Sequence, residues 1–290
     1  MTGMKVSARA AIIGGVTSVF ILLLFVPTTP AAQGPRKDSY VRNIQSCNGA
    51  DRASLDSRIA GCTELIDAGE MTPVALAVAH NNRGNAFVAK GDYERAIQDF
   101  DRSIQLNGTY AKPVNNRGVA YLKKGEYDLA IKAFNEAIKL NPDYGEAFAN
   151  RAQVYLKKSE HDRAARDYSE AIRLDPNLEA VWHGRCWTRA VLGELEAALE
   201  DCNKAIQSGS NNAATYDSRG LIYLKMGQPG AAIDDYSSAL RFDPKLASAL
   251  YGRGLAKLKN GDKAGSDTDI SAAKTIQARI GDDFVRYGVR

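Results

Sequence analysis

The chain has 290 residues, of which 44% are hydrophobic, 25% charged and 8% aromatic, a composition typical of a folded protein with a sizeable core. Its formal net charge is +4, and no long block of one sign interrupts it. This balance argues against a dedicated nucleic-acid-binding protein, which usually carries a strongly basic stripe. The length allows one or two ordinary domains, or one elongated array.

The first 34 residues differ from the rest of the chain. Lys5 and Arg9 precede an uncharged apolar run from Ala10 to Val26, and prolines and small residues follow it. A basic region, an apolar region and a small-residue end make up a secretory signal. We expect residues 1–32 to direct export, with cleavage near Ala31 or Ala32. Retention as an inner-membrane anchor is the alternative, because the run reaches the lower limit for a membrane-spanning helix.

Residues 33–76 are predicted to form a linker and a degenerate hairpin of two helices. The stretch "RIAGCTELI", which contains Cys62, aligns with "ALEDCNKAI" further along the chain. The first helix of this hairpin is interrupted at Gly49. We interpret the hairpin as an N-terminal cap for the regular part that follows.

From residue 77 to residue 280 the chain repeats every 34 residues without slippage. Position 8 of each unit is small, position 20 is alanine or serine, and position 24 is aromatic in most units. Apolar residues recur at helical spacing on both sides of a break near position 15, which predicts two helices joined by a short turn. Such a hairpin cannot bury both apolar faces alone, so neighbouring units must stack. The units are 77–110, 111–144, 145–178, 179–212, 213–246 and 247–280.

The six in-register units resemble the tetratricopeptide repeat (TPR) family, most closely in "NNRGNAFVAKGDYERAIQDFDRSI" and "NNRGVAYLKKGEYDLAIKAFNEAI". The resemblance implies an all-α fold, a right-handed α-superhelix (solenoid) of stacked helix hairpins with a concave side. Residues 281–290 would form a C-terminal tail. Repeated "NRG…D" units behind a signal peptide also resemble exported repeat proteins of Gram-negative bacteria.

Two pairs of cysteines lie at similar spacings. In an antiparallel hairpin that turns near position 15, residues whose position numbers sum to about 32 face each other. Cys186 and Cys202, at positions 8 and 24, satisfy this condition, and Cys47 and Cys62 repeat the arrangement in the cap. Outside the cytoplasm such pairs oxidise, so we expect two structural disulfides. Free core thiols are the alternative.

Position 7 is arginine in every unit, and an aspartate follows sixteen residues later in five of them. A repeated cation could form a polyanion site, but a buried arginine without a carboxylate is costly. We therefore expect each arginine to form a structural ion pair with an aspartate. Arg117 faces Ala133, so we expect it to pair with Asp99 or Asp167 of a neighbouring unit. The arginines are Arg83, Arg117, Arg151, Arg185, Arg219 and Arg253; the aspartates are Asp99, Asp167, Asp201, Asp235 and Asp269.

In the TPR family the concave groove is lined by positions 2, 5, 9 and 12 of each first helix, often with position 6. The resemblance assigns to this groove an amide-rich N-terminal half: Asn81, Asn82, Asn85, Asn115, Asn116, Asn150 and Gln153. The C-terminal half holds His183, Trp187, Asp217, Leu221, Tyr251 and Leu255. Amides both donate and accept hydrogen bonds, which suits an extended peptide backbone. The alternative is that the amides satisfy neighbouring helix ends and that the aromatic residues fill the core.

The function predicted is a non-enzymatic interaction scaffold in the cell envelope, periplasmic or secreted, that binds a protein or peptide segment in the groove. No cofactor, metal or nucleic acid is expected, since C-x-x-C is absent and the three histidines form no ligand cluster with the cysteines. Membrane contact would run only through the N-terminal segment. The alternatives are a membrane-anchored assembly factor and an envelope enzyme, either a thiol oxidoreductase or a hydrolase that uses Asp217 and His183.

Overall fold

The computed structural model describes residues 35–50, 53–210 and 212–289, and the predicted export segment lies outside these ranges. The described residues form helices and connecting turns, without a strand. None of these helices is both long and apolar enough to cross a bilayer. The helices are α1 (Pro35–Cys47), α2 (Leu55–Ala68), α3 (Pro73–Lys90), α4 (Tyr93–Leu106), α5 (Ala111–Lys124), α6 (Tyr127–Leu140), α7 (Gly145–Lys157), α8 (His161–Leu174), α9 (Glu179–Leu192), α10 (Leu195–Gln207), α11 (Ala213–Lys225), α12 (Pro229–Phe242), α13 (Ala247–Lys259), α14 (Lys263–Ile276) and α15 (Ile280–Arg286).

The break inside each unit is a left-handed residue at position 15. Gly91 and Gly125 both have a φ of 80° and end α3 and α5, with their N–H groups bonded back into the last turn. Ser159 takes the same place in the third unit with a φ of 59°. A positive φ costs glycine little conformational energy and is rare for other residues. This position therefore fixes where the first helix of each unit ends.

Packing of the two helices within a unit depends on the small residue at position 8. A Cβ on Gly84 would lie 2.7 Å from the ring of Phe100, and one on Gly118 would lie 2.6 Å from the ring of Phe134. The aromatic residue at position 24 therefore fills the space that the glycine leaves open in the opposite helix. The alanines at position 20 are fully buried. A side chain larger than glycine at Gly84 or Gly118 would clash with the aromatic ring at position 24, because the core is close-packed.

The array curves with its first helices on the inside. Each of α3, α5, α7, α9 and α11 contacts the first helix of the next unit, in addition to its own hairpin partner. In the described part of the chain, no contact of similar extent joins second helices of neighbouring units. The first helices are thus closer together than the second helices, and they line the concave face.

Both cysteine pairs are joined in the structure. Cys186 and Cys202 connect α9 to α10, with their Cα atoms 5.2 Å apart. Cys47 and Cys62 connect α1 to α2, with a Cα separation of 4.6 Å. All four cysteines are buried. The pair in the cap shares an apolar cluster with Ala79 of α3, so the cap hairpin packs onto the first unit.

Each arginine at position 7 except Arg117 holds the aspartate of its own unit. Arg151 is representative: its Nε and Nη2 donate to the two oxygens of Asp167 at 2.7 Å. The buried carboxylates also accept other donors, as His80 shows by contacting Asp99 at 2.8 Å. Burial alone would raise the pKa of Asp99, but hydrogen bonds from Arg83 and His80 lower it below its usual range. These charges are therefore paired within the scaffold and are not displayed in the groove.

The expectation for Arg117 is wrong. Its guanidinium contacts neither Asp99 nor Asp167; instead, Nη1 donates to Asp101 at 2.6 Å and Nη2 to Glu136 at 2.8 Å. The reason is that its unit has Ala133 where the others have aspartate, so Glu136 replaces the missing carboxylate from the next turn of the same helix.

A second arginine contact, which is not predicted by the spacing, joins neighbouring units. In every unit Nη1 donates to the residue at position 25 of the preceding hairpin, over 2.5 to 3.4 Å. In the first unit that acceptor is Thr63 of the cap, which shows that the cap keeps the register of the array. The acceptors are Thr63, Asp101, Asn135, Ser169, Asn203 and Ser237.

Candidate partner-binding groove

Six asparagines form one hydrogen-bonded ladder along the concave face of α3, α5 and α7. Asn150 donates to Asn115, which donates to Asn116, and the series continues through Asn81 and Asn82 to the cap, over 2.9 to 3.3 Å. The last acceptor is Asn48, which was not among the predicted groove residues. The sequence gives little indication of a groove position for Asn48, because the cap hairpin departs too far from the repeat pattern.

The ladder divides the predicted amides into two groups. Asn81 and Asn115 are only 1% and 3% exposed, so they support the ladder and cannot face a partner. Asn82, Asn116 and Asn150 are partly exposed, one in each of the first three units. An amide has two N–H donors and two acceptor sites. Because the ladder uses one donor and one acceptor of Asn116, one of each remains for a ligand. Asn85, also on α3, is partly exposed.

The C-terminal half of the groove is occupied by the end of the chain itself. The ring of Phe284 on α15 lies 4.9 Å from that of Tyr251, and the ring of Tyr287 meets that of Trp187 edge-on at 5.5 Å. Phe284 is 3% exposed. Tyr251 and Trp187 therefore both contact the tail. Leu221 and Leu255 belong to the same apolar cluster as Phe284.

Between the ladder and the tail lies an open cleft of about 760 Å³. Gln153 stands at one side and is exposed, which leaves its amide free to contact a ligand. His183, Trp187 and Asp217 also line the cleft, together with apolar side chains such as that of Leu156. The cleft is thus mainly apolar with a few polar groups, which is common for ligand sites.

His183 and Asp217 line the same cleft but bind different partners. His183 Nε2 lies 3.2 Å from the carbonyl oxygen of Ala214 and 3.1 Å from Ser218 Oγ. Since a carbonyl only accepts, Nε2 carries the proton. Burial lowers the pKa of His183, against a smaller effect of the Ala214 carbonyl, so the ring is neutral at neutral pH. In the described part of the chain, His183 and Asp217 do not hydrogen-bond to each other, so the alternative of a hydrolase that uses this pair has no base–orienter contact in the structure.

Asp217 is the most perturbed acid of the cleft. Its Oδ2 accepts a hydrogen bond of 2.7 Å from Ser248 Oγ, whereas Oδ1 is buried without a hydrogen-bond partner among the described residues. Burial raises the pKa of Asp217 to about 7, and the Ser248 hydroxyl opposes this rise. The protonated form of the carboxyl group is therefore favoured over a wider pH range than in an exposed aspartate. Groups of three or more residues able to hold a metal are absent from the described ranges.

Two family models match the repeats. The model described as "Tetratricopeptide repeat" matches residues 111–144 and 145–178, and the model described as "TPR repeat" matches residues 84–125 and 220–261. The first two matches coincide with the second and third units defined by the sequence period. The chain is a tetratricopeptide repeat protein. TPR proteins are protein-interaction scaffolds, their domains bind peptides or proteins, and their fold is typically non-catalytic.

Solved TPR structures share the fold. A tetratricopeptide repeat protein from Parabacteroides merdae is 18% identical, with a TM-score of 0.60 over 86% of this TPR chain and 99% of that one. YrrB, described as a TPR protein with an unusual peptide-binding site, is 21% identical, with a TM-score of 0.54 over 66% of this chain and 97% of its own. PilF of Pseudomonas aeruginosa is 14% identical, with a TM-score of 0.62 over 78% and 98%. At these identities the likeness shows the fold alone, and no curated protein matches the chain significantly.

Proposed function

We propose that this TPR protein is a non-enzymatic scaffold that binds an extended segment of another protein along the asparagine ladder. The ladder is the observation that carries the proposal. Asn82, Asn116 and Asn150 each expose an amide on the first helix of successive units, and the hydrogen bonds between the amides hold them in place. An extended segment presents alternating N–H and C=O groups, which such amides can pair without reading the side chains.

Preorganisation is the physical advantage of the ladder. A free asparagine on a helix surface loses rotamer freedom when it binds a ligand, which weakens binding by about 0.5–1.5 kcal/mol for each immobilised side chain. Here Asn116 is already held on both sides, by Asn115 and Asn81. A partner therefore meets amides that have lost this freedom on folding. The peptide-binding site named for YrrB shows that a solved TPR protein of similar fold binds peptides.

We also propose that the protein acts outside the cytoplasm, in the cell envelope. The basic and apolar N-terminal pattern supports this location, and so do two buried disulfides, because cytosolic thiols are kept reduced. Cell fractionation with N-terminal sequencing tests it. The expected result is an exported chain that begins near residue 32. A full-length chain in the cytosol with free thiols would contradict it.

The groove is tested with a photo-crosslinking residue placed at position 116 in cells, and separately at position 98. Gln98 is the matched control, because it is an exposed amide on α4, the second helix of the first unit. Mass spectrometry of the adduct identifies the captured segment, which is then synthesised for binding measurements. We expect a defined segment to be captured from position 116 and not from position 98.

The captured segment is then measured against variants of the full chain. Asn116→Ala with Asn150→Ala should weaken binding by about tenfold or more, because two hydrogen bonds to the peptide backbone are lost. Gln98→Ala should leave the affinity unchanged. Circular dichroism confirms that each variant keeps its helices. Equal affinity for the natural chain and the double amide variant would show that the ladder is only a structural feature.

A further inference from the structure

The C-terminal segment does not pack as an ordinary cap of a repeat array. A cap covers the open face of the last hairpin and contacts that hairpin alone. Here α15 packs on α13 of the last unit, but Tyr287 contacts Trp187 of α9, which lies two units earlier. Gly288 is close to the end of the Lys225 side chain, at the C-terminus of α11. The segment therefore runs back across three first helices, along the face where a partner would bind.

The buried face of this segment has a regular spacing. Ile280 and Phe284 are each 3% exposed, and Tyr287 continues the same face at the i, i+4, i+7 spacing of a helix. Val285, on the opposite face, is 67% exposed. The segment is thus amphipathic, and its apolar side chains lie in the groove. An amphipathic helix of one protein binds the groove of another protein in the same way. Val289 adds a last buried contact at 7% exposure.

The ion pairs of the segment stay within its own neighbourhood. Asp282 pairs with Arg279, Asp283 pairs with Arg286, and Gln277 also donates to Asp283. Among the described residues, no salt bridge ties α15 to the first helices. Its attachment to the groove rests on apolar and aromatic contacts, which another apolar segment can replace.

From this arrangement we infer that residues 280–289 are an intramolecular ligand that closes the groove over the fourth to sixth units. The occupant that displaces it is a segment of a partner protein with large apolar or aromatic side chains at the spacing of Ile280, Phe284 and Tyr287. This inference rests on the proposed function, since it concerns the same groove. Beyond that function, it specifies an apolar or aromatic partner segment for the C-terminal half of the groove. It also specifies that the tail must leave the groove before this segment can bind.

The test uses the tail itself as the probe, so it needs no identified partner. A fluorescein-labelled peptide of residues 277–290 is titrated into the full chain and into the variant Phe284→Ala with Tyr287→Ala, whose own tail has lost its anchors. Val285→Ala is the matched control, because it changes the same helix on its exposed face. We expect the peptide to bind the double variant about tenfold or more tightly than the natural chain or the control, as displacement of a bound competitor requires.

A second measurement keeps the inference falsifiable if the double variant loses structure. In a Trp182→Phe background, Trp187 is the only tryptophan of the chain. Tyr287→Ala should shift its emission to the red as the ring gains water, and Val285→Ala should not. Equal peptide affinity for the natural and double-variant chains, absence of binding to both, or unchanged emission would each overturn the inference. Those results would leave the ladder proposal standing, because it is judged by Asn116 and Asn150 variants.

Discussion

Removal of the carboxylate of one Arg–Asp pair measures how much these pairs contribute to the free energy of unfolding of the array. Asp167→Ala in the third unit takes away two charge-assisted hydrogen bonds of 2.7 Å and leaves Arg151 without its counter-charge. The side chains of Arg151 and Asp167 are 18% and 10% exposed, so the stranded guanidinium recovers only part of its hydration. We expect a loss of about 3 kcal/mol in the free energy of unfolding, the low end of the range for breaking a buried pair.

A second variant separates pairing from simple loss of contacts. Arg151→Met with Asp167→Leu removes both charges and keeps an apolar filling, so we expect stability within about 1 kcal/mol of the natural chain. The exposed pair Arg173–Glu170 serves as the control, and Glu170→Ala should produce no measurable change. The assay is urea unfolding followed by circular dichroism, with the disulfides kept oxidised. The reasoning fails if Asp167→Ala behaves like Glu170→Ala, or if the double apolar variant is no more stable than Asp167→Ala.

Three further predictions concern the packing of the core, the disulfide between α9 and α10, and Asp217 in the cleft. Gly118→Ala places a methyl group 2.6 Å from the Phe134 ring, so we expect a loss of about 1–3 kcal/mol in urea unfolding, and an unchanged midpoint would contradict the packing described. Cys186→Ala with Cys202→Ala should cost about 3 kcal/mol by the same assay, since the closed loop is lost; equal stability would mean that the bond adds nothing. Because the folded-state pKa of Asp217 is raised to about 7, the folded chain holds an extra proton between about pH 4 and 7 and loses stability as pH rises through that window. Asp217→Asn should remove this slope, and parallel pH profiles of the two chains would refute it.

The fold could be read from the sequence because one period carries it. Glycine at position 8 against an aromatic residue at position 24 is a local rule, and the structure repeats it at Gly84 with Phe100 and at Gly118 with Phe134. Contacts inside one hairpin follow this spacing where the unit keeps the repeated residue, and Arg117 departs from it because Ala133 replaces the aspartate. The pairing of Arg151 with Asp167 belongs to this class.

Contacts between units were harder to predict, because they depend on how far each hairpin rotates relative to the last. The bond from Arg151 to Asn135 crosses such a boundary, and so does the bond from Asn116 to Asn81. For that reason the repeat pattern predicts all the amides in the groove, although Asn81 and Asn115 are buried supports. The route of the tail could not be predicted either, because residues 281–290 follow no repeat that would assign them a position.

The two halves of the groove predict different responses to loss of the tail side chains Phe284 and Tyr287. If the tail closes the apolar half, the apparent dissociation constant of a partner that binds there equals its intrinsic value divided by the open fraction of the chain. An open fraction of about 1% then weakens apparent binding about a hundredfold, and loss of Phe284 and Tyr287 restores it. A partner held only by the ladder never meets the tail, so its affinity is the same with or without those rings. A partner long enough to use both halves must bind the ladder first, because the tail covers the apolar contacts of the C-terminal half in the resting chain.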